Sequence, residues 1–263
     1  MMSCLLKVTD LSKTFKLPGY WLNKKTFTAL DPITFNIDAN QTLAIVGEVG
    51  SGKSTLAKLL VGAEDPTTGK IELGGETLHT GDFSQRCQKV RMIFQDSGTT
   101  LNPSLTIQQI LDEPLKLNTQ LNDLERMELM RETLKKVGML PEHLHFYPHM
   151  FSGGQKQRIS LARAIILQPK VLILDEALAA LDPSLRSQML NLLLDLQQQM
   201  GLAFVLISQN LGIVRHASDH LIVLKDGKVV EQGPTQQVFN NPKDKYTKML
   251  MMSQHLKLGH PTT

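Results

Sequence analysis

The residues best placed to do chemistry are Gly47-Glu48-Val49-Gly50-Ser51-Gly52-Lys53-Ser54-Thr55. They follow the apolar run Thr42-Leu43-Ala44-Ile45-Val46 and lead into Leu56-Ala57-Lys58-Leu59-Leu60, which reads as a helix. Strand, glycine loop and helix is the setting a phosphate-binding loop requires. Glycines let the backbone turn tightly, so that successive N–H groups converge on one anion. Lys53 adds a mobile positive charge, Ser54 offers a hydroxyl to Mg²⁺, and the helix opening near Lys53 turns its positive end to the same phosphates. An ordinary Gly-rich turn would need neither the spacing nor the flanking elements. The expected ligand is a nucleoside triphosphate.

A second set of groups lies further on. Val171-Leu172-Ile173-Leu174 reads as a central parallel strand buried on both faces, and it ends in Asp175-Glu176. Two carboxylates there are costly to bury without a purpose. Asp175 is placed to hold Mg²⁺ beside Ser54, and Glu176 to orient or deprotonate an attacking water. The alternative is that both acids cap the next helix. Ser152-Gly153-Gly154-Gln155 opens a helix running to Leu167, with Ser152 as its N-cap. That start is either a second anion-binding terminus or a flexible capped turn.

The elements that must position these groups follow from the pattern. Residues 4–38 alternate apolar and polar side chains and read as half-exposed antiparallel strands, with a loop over Leu17–Lys25 whose Trp21 touches a partner or covers a sheet edge. Asp65–Gly69 is a turn, Lys70–Leu73 a short strand, and Lys89–Gln95 a strand ending in a glutamine. From Ser97 to about Met150 the spacing is helical, with breaks at Pro114, Gly138 and Pro141. Ala179–Asp182 is a tight link into a helix from Ser184 to Met200, and Leu202–Ile207 is the last core strand. His220–Leu224 and Lys228–Glu231 flank Lys225-Asp226-Gly227, a hairpin signal, and Thr235–Asn240 is a helix before a short tail.

Composition narrows the class. A chain of 263 residues, 41% apolar and 20% charged, suits one large α/β domain. A formal charge of +3 without a dense basic block argues against nucleic acid as partner. Two cysteines, Cys4 and Cys87, exclude a disulfide framework. His143, His145 and His149 sit among Pro141, Pro148 and polar residues with no cysteine or acidic cluster at ligand spacing, and the twelve methionines, several near Met249–Met252, are expected to pack a terminal helix. No apolar run approaches the roughly 20 residues of a bilayer span, and Lys7 interrupts the N-terminus too early for a signal peptide. The expected place of work is the cytoplasm.

Taken in order, Gly47–Thr55, Gln95, Ser152–Gln155, Val171–Glu176 and Ala180–Asp182 resemble the ATP-binding cassette (ABC) ATPases over nearly the whole chain. The resemblance implies an α/β P-loop NTPase fold: a RecA-like parallel-sheet core, an N-terminal antiparallel β subdomain and an α-helical insertion. It implies one ABC ATPase domain over 1–263, with a core of 1–95 and 159–240, a helical signature subdomain of 96–158 and a C-terminal tail of 241–263. Two cassettes pair head to tail in that family and enclose two ATP molecules. Phe15 would stack on adenine. Gln95 would join Ser54 and Asp175 around Mg²⁺ and link to the insertion, which touches a transmembrane permease subunit. Ser152, Gly153 and Gly154 would meet the partner's γ-phosphate, with Gln155 and Asp182 in the matched nucleotide-binding motifs, and Glu176 would be the catalytic base.

Thr99-Thr100-Leu101-Asn102-Pro103 and Asn241–Leu250 are similar to the oligopeptide/dipeptide importer branch. Details at Asn23–Lys25, Tyr147–Met150, Asp175–Ala179 and Ile207–Gln209 point to a subgroup that moves peptides, antimicrobial ones included, or polyamines such as putrescine. The subgroup implies a second, distinct ABC ATPase as partner, a periplasmic solute-binding protein at one remove, and a position on the cytoplasmic face of the bacterial inner membrane. One departure stands out: Gln209 occupies the place of the usual switch histidine. Glutamine donates a neutral hydrogen bond but carries no charge, so slower hydrolysis is expected at this site. A ribosome- or repair-type ABC protein would carry two cassettes or a long coiled coil. A module that holds ATP without hydrolysis fits Gln209 but not Glu176.

Overall fold

The computed structural model describes residues 4–16, 26–79, 81–94 and 100–258. The chain divides into two compact units, 1–82 with 203–263 and 83–202. In chain order the elements are β1 (Cys4–Lys16), β2 (Thr26–Asp38), β3 (Thr42–Val46), α1 (Lys53–Val61), β4 (Thr68–Leu73), β5 (Glu76–Thr77), α2 (Phe83–Lys89), β6 (Val90–Phe94), α3 (Ile107–Asn118), α4 (Asp123–Lys136), α5 (Gly153–Ile165), β7 (Val171–Asp175), α6 (Pro183–Met200), β8 (Ala203–Ile207), α7 (Leu211–Ala217), β9 (His220–Lys225), β10 (Lys228–Pro234), α8 (Thr235–Asn240) and α9 (Lys245–Leu258).

In the first unit, β1 and β2 are long antiparallel strands, and β4 pairs with the other edge of β1, followed by β5. Inward positions such as Leu6, Val8, Leu11, Ile33 and Ile37 are buried, as the period-two pattern requires. A second sheet runs β10-β9-β3-β8, with β3 parallel to both β8 and β9 and the β9–β10 hairpin antiparallel. All five residues of β3 and of β8 are buried, which is why both read as unbroken apolar runs. The hairpin turns at Asp226 (φ 50°) and Gly227 (φ 79°), the paired positive φ angles that an Asp-Gly turn supplies.

In the second unit, β6 and β7 pair in parallel, Phe94 beside Asp175. Helices α3 and α4 each begin at a capping box, Thr106 with Gln109 and Asn122 with Glu125. The helix α3 runs through Pro114, against the expected break there. Its buried stripe of Ile107, Ile110, Leu111 and Leu115 outweighs the helix-interior proline penalty of about 3 kcal/mol. Asp112 accepts from Lys116 at 2.6 Å and from Arg126 at 2.7 Å, tying α3 to α4. Burial pushes the Asp112 carboxyl up, but these two cations more than offset it and hold it below its ordinary value. Gly138 (φ 71°) ends the α4 segment, as expected.

The short helices α2 and α7 and the two-residue strand β5 stand where none was anticipated, while α9 is the terminal helix expected around Met249–Met252 and begins earlier, at Lys245. Among the described residues no helix is long and apolar enough to cross a membrane.

Candidate nucleotide-binding site

The strand β3 delivers the chain into the loop 47–52, and α1 carries it away. The loop is held by bonds within the first unit: Ser51 N–H donates to the Glu48 carbonyl (3.2 Å), and Gly227 N–H donates to the Ser51 carbonyl (3.1 Å). Glycine is obligatory at two positions. A Cβ on Gly47 would sit 2.2 Å from the Leu224 carbonyl oxygen, and Gly52 (φ 103°) has the Ala29 carbonyl oxygen 2.8 Å from where its Cβ would be. Gly52 is also the N-cap of α1 and supplies no side-chain cap, so the first N–H groups of that helix face the loop without one.

Lys53 is buried, with its ammonium folded onto the loop. It donates to the carbonyls of Gly47 (2.8 Å) and Glu48 (2.6 Å) and to Ser51 Oγ (3.3 Å). A cation thus sits at the centre of a ring of backbone, the arrangement that receives phosphate. Ser54 and Val49 are exposed, and Thr55 is half-buried.

Other expected groups in this unit reach the surface nearby or at a distance. The strand β8 pairs with β3, Ile207 beside Ile45, and Ser208 N–H donates to the Ile45 carbonyl (3.4 Å). Gln209, exposed, therefore leaves the same edge of the sheet from which the glycine loop springs. Phe15 lies at the far end of β1, paired with Phe27, and Lys13 Nζ is 4.9 Å from its ring centre. Phe27 is 55% exposed and was not singled out from the sequence; its cue is position across the strand from Phe15. Tyr246 was also missed as a site residue, and its hydroxyl accepts the Glu48 N–H at 3.0 Å.

In the second unit, β7 brings Asp175 and Glu176 to a strand end where both are half-buried. Glu176 takes a left-handed backbone (φ 50°), a strained conformation that turns the chain sharply after the strand. Ser152 is the N-cap of α5 and accepts from Gln155 N–H (3.4 Å), while Gln155 Oε1 accepts the Ser152 N–H (3.0 Å). Gln155 is thus engaged in a capping box, and Ser152 and Gly153 stand exposed at the helix start. Gly154 packs under Leu185 of α6, where a Cβ would come within 3.2 Å of Leu185 Cδ2. Asp182 caps α6 by accepting the Leu185 N–H at 3.0 Å. Gln95 lies outside the described residues, as do Asn23–Lys25 and Thr99. Two of the three histidines before Ser152 pack against aromatic rings: the His143 ring is 5.1 Å from Phe151, and His149 stacks on Tyr147.

A glycine loop between a buried parallel strand and a helix, with a lysine folded into it, defines a P-loop nucleotide-binding protein. The family description "ABC transporter" matches residues 30–179, and the chain belongs to that family. It is 49% identical over 251 residues to the putrescine export system ATP-binding protein SapF of Escherichia coli K12, covering 95% of this chain and 94% of the relative. The dipeptide transport ATP-binding protein DppF of the same strain is 44% identical over 251 residues, covering 94% of this chain and 75% of the relative. Among solved structures, cbiO1 from Clostridium perfringens, part of the ABC transporter complex cbiONQ, matches with a TM-score of 0.77 at 28% identity, covering 98% of this chain and 96% of that one. The cassette MJ0796, solved as a dimer bound to ADP and phosphate, matches with a TM-score of 0.74 at 26% identity over 88% of this chain and 99% of that one. The expected fold and the expected likeness to the peptide-transport branch are both borne out.

Proposed function

We propose that this chain is the ATP-binding, ATP-hydrolysing subunit of a membrane transport system for peptides or polyamines. The observation that carries the reading is the glycine loop closed around Lys53 at the start of α1. The likeness to SapF and DppF, named for putrescine and peptide systems, supports the substrate class. Residues 47–55 cradle the phosphates, Phe15 stacks on the base, and Ser152–Gln155 and Asp182 serve nucleotide across a cassette dimer. Ser54 and Asp175 offer a hydroxyl and a carboxylate, hard oxygen donors that suit Mg²⁺, with Gln95 as a third. Bound there, Mg²⁺ neutralises charge on the phosphates. Glu176 holds and deprotonates the attacking water, and the neutral Gln209 slows the step. The partner cassette is a second, distinct ATPase of the SapD kind, and both dock on transmembrane permease subunits at the cytoplasmic face of the inner membrane, served by a periplasmic solute-binding protein. The chain forms a single ABC domain in which 96–158 is the signature-bearing helical insertion.

The test is mild-detergent extraction from native membranes through a tag on this chain. Two membrane subunits and a second ATPase should co-purify, and MgATP turnover by that complex should fall on Glu176→Gln. Recovery of the chain alone, or with ribosomal proteins, would sink the transporter reading.

A further inference from the structure

The backbone of Glu48 is gripped on both sides. Its carbonyl accepts from Lys53 Nζ at 2.6 Å, and its N–H donates to the Tyr246 hydroxyl at 3.0 Å. The first grip is local, and the second comes from the start of α9, 198 positions along the chain. Tyr246 is only 5% exposed, and Lys225 Nζ lies 5.0 Å from its ring centre. Lys225 follows Leu224, whose carbonyl walls Gly47, so hairpin, tyrosine and loop form one packed cluster.

Two carboxylates deliver the tyrosine. Glu231 on β10 accepts the N–H groups of Lys243 (2.9 Å) and Asp244 (3.1 Å), and Asp244 Oδ1 accepts the Tyr246 N–H (2.7 Å). The backbone leading into α9 is therefore fixed before the ring enters the cluster. A purely space-filling residue would need neither the hydroxyl bond nor this scaffold.

We propose that Tyr246 is a positioning residue for nucleotide binding, holding the entry of the phosphate loop in its receiving shape. The inference rests on the nucleotide reading of that loop. A lysine that turns to phosphate must give up its loop carbonyls, the Glu48 carbonyl among them. At that moment the Glu48 backbone keeps the Ser51 N–H on its carbonyl (3.2 Å) and the Tyr246 hydroxyl on its N–H, and of these two only the Tyr246 hydroxyl comes from outside the loop. The C-terminal segment thus acts on nucleotide affinity without touching the nucleotide.

The test uses the full chain with Tyr246→Phe, which keeps the ring and its packing and removes only the hydroxyl. MgATP affinity, amide hydrogen exchange at Glu48 and thermal unfolding are measured together. Loss of one net hydrogen bond to the loop predicts a dissociation constant raised about three- to tenfold, with faster exchange at Glu48 and little change in unfolding temperature. Glu231→Gln, which loosens the delivery of Tyr246 but keeps its hydroxyl, should shift both readouts in the same direction by less. Wild-type affinity and unchanged Glu48 exchange in Tyr246→Phe would overturn the inference alone. Failure of the wild-type chain to bind MgATP would overturn the nucleotide reading, and the inference with it.

Discussion

Replacing Gly47 with alanine tests whether the loop's shape is set by backbone packing. The new Cβ would lie 2.2 Å from the Leu224 carbonyl oxygen and 2.6 Å from Ser51 Oγ. Ser51 can rotate its hydroxyl, but Leu224 is paired into the β9–β10 hairpin and its carbonyl cannot withdraw cheaply. The loop must move instead. Overpacking costs about 1–3 kcal/mol, and a backbone angle foreign to L-residues adds about 1–3 kcal/mol. A total of about 2–6 kcal/mol is a large share of ordinary domain stability and lowers the unfolding temperature by about 4–24 °C. The control is Gly50→Ala, at φ 83° with no atom within 4 Å of its Cβ, where only the backbone strain of about 1–2 kcal/mol applies. Scanning calorimetry of the two variants against the wild type isolates the clash, and fluorescence titration with MgATP reports the loop. Equal unfolding temperatures for the two variants would refute the role assigned to the Leu224 carbonyl.

Other outcomes follow from the same geometry. Gln209→His should raise turnover of the assembled transporter, by up to about 10²–10³ if the missing charge limits the step, and unchanged turnover would remove Gln209 from the chemistry. Burial pushes the Glu231 carboxyl up, yet the amides of Lys243 and Asp244 outweigh it and leave the group below its ordinary value. Its folded pKa is depressed, so its contribution is complete above the unfolded glutamate value and fades as pH falls through the lower, folded one. Protection of the Lys243 and Asp244 amides should weaken over that window in the wild type, and in Glu231→Gln the window should vanish. Arg158 Nη1 donates to the Val137 carbonyl at 2.8 Å, joining α5 to the end of α4. Arg158→Ala should cost about 1–3 kcal/mol and speed proteolysis of the 123–150 region, as read by calorimetry and limited digestion.

How much of this was legible beforehand can be followed residue by residue. The glycine loop, the buried strand ending in Asp175-Glu176, the Ser152 cap and the Asp226-Gly227 hairpin were all readable, because each is set by sterics and hydrogen bonds within a few residues. Pro114 misled for the same reason: local propensity favours a break, and only the buried stripe of α3 overrides it. The short helix α7 hid in the stretch after Gln209, and Phe27 gained meaning only through its register with Phe15.

The sequence by itself determined which chemistry this protein carries, since phosphate binding needs particular residues at short, fixed spacing. Tertiary structure decided what holds that chemistry in shape. Leu224 walls Gly47, Gly227 binds Ser51, and Tyr246 grips Glu48, across gaps of roughly 180 to 200 residues. Such contacts exist only after the sheet has closed, because loop closure over long stretches leaves no local pattern in the chain.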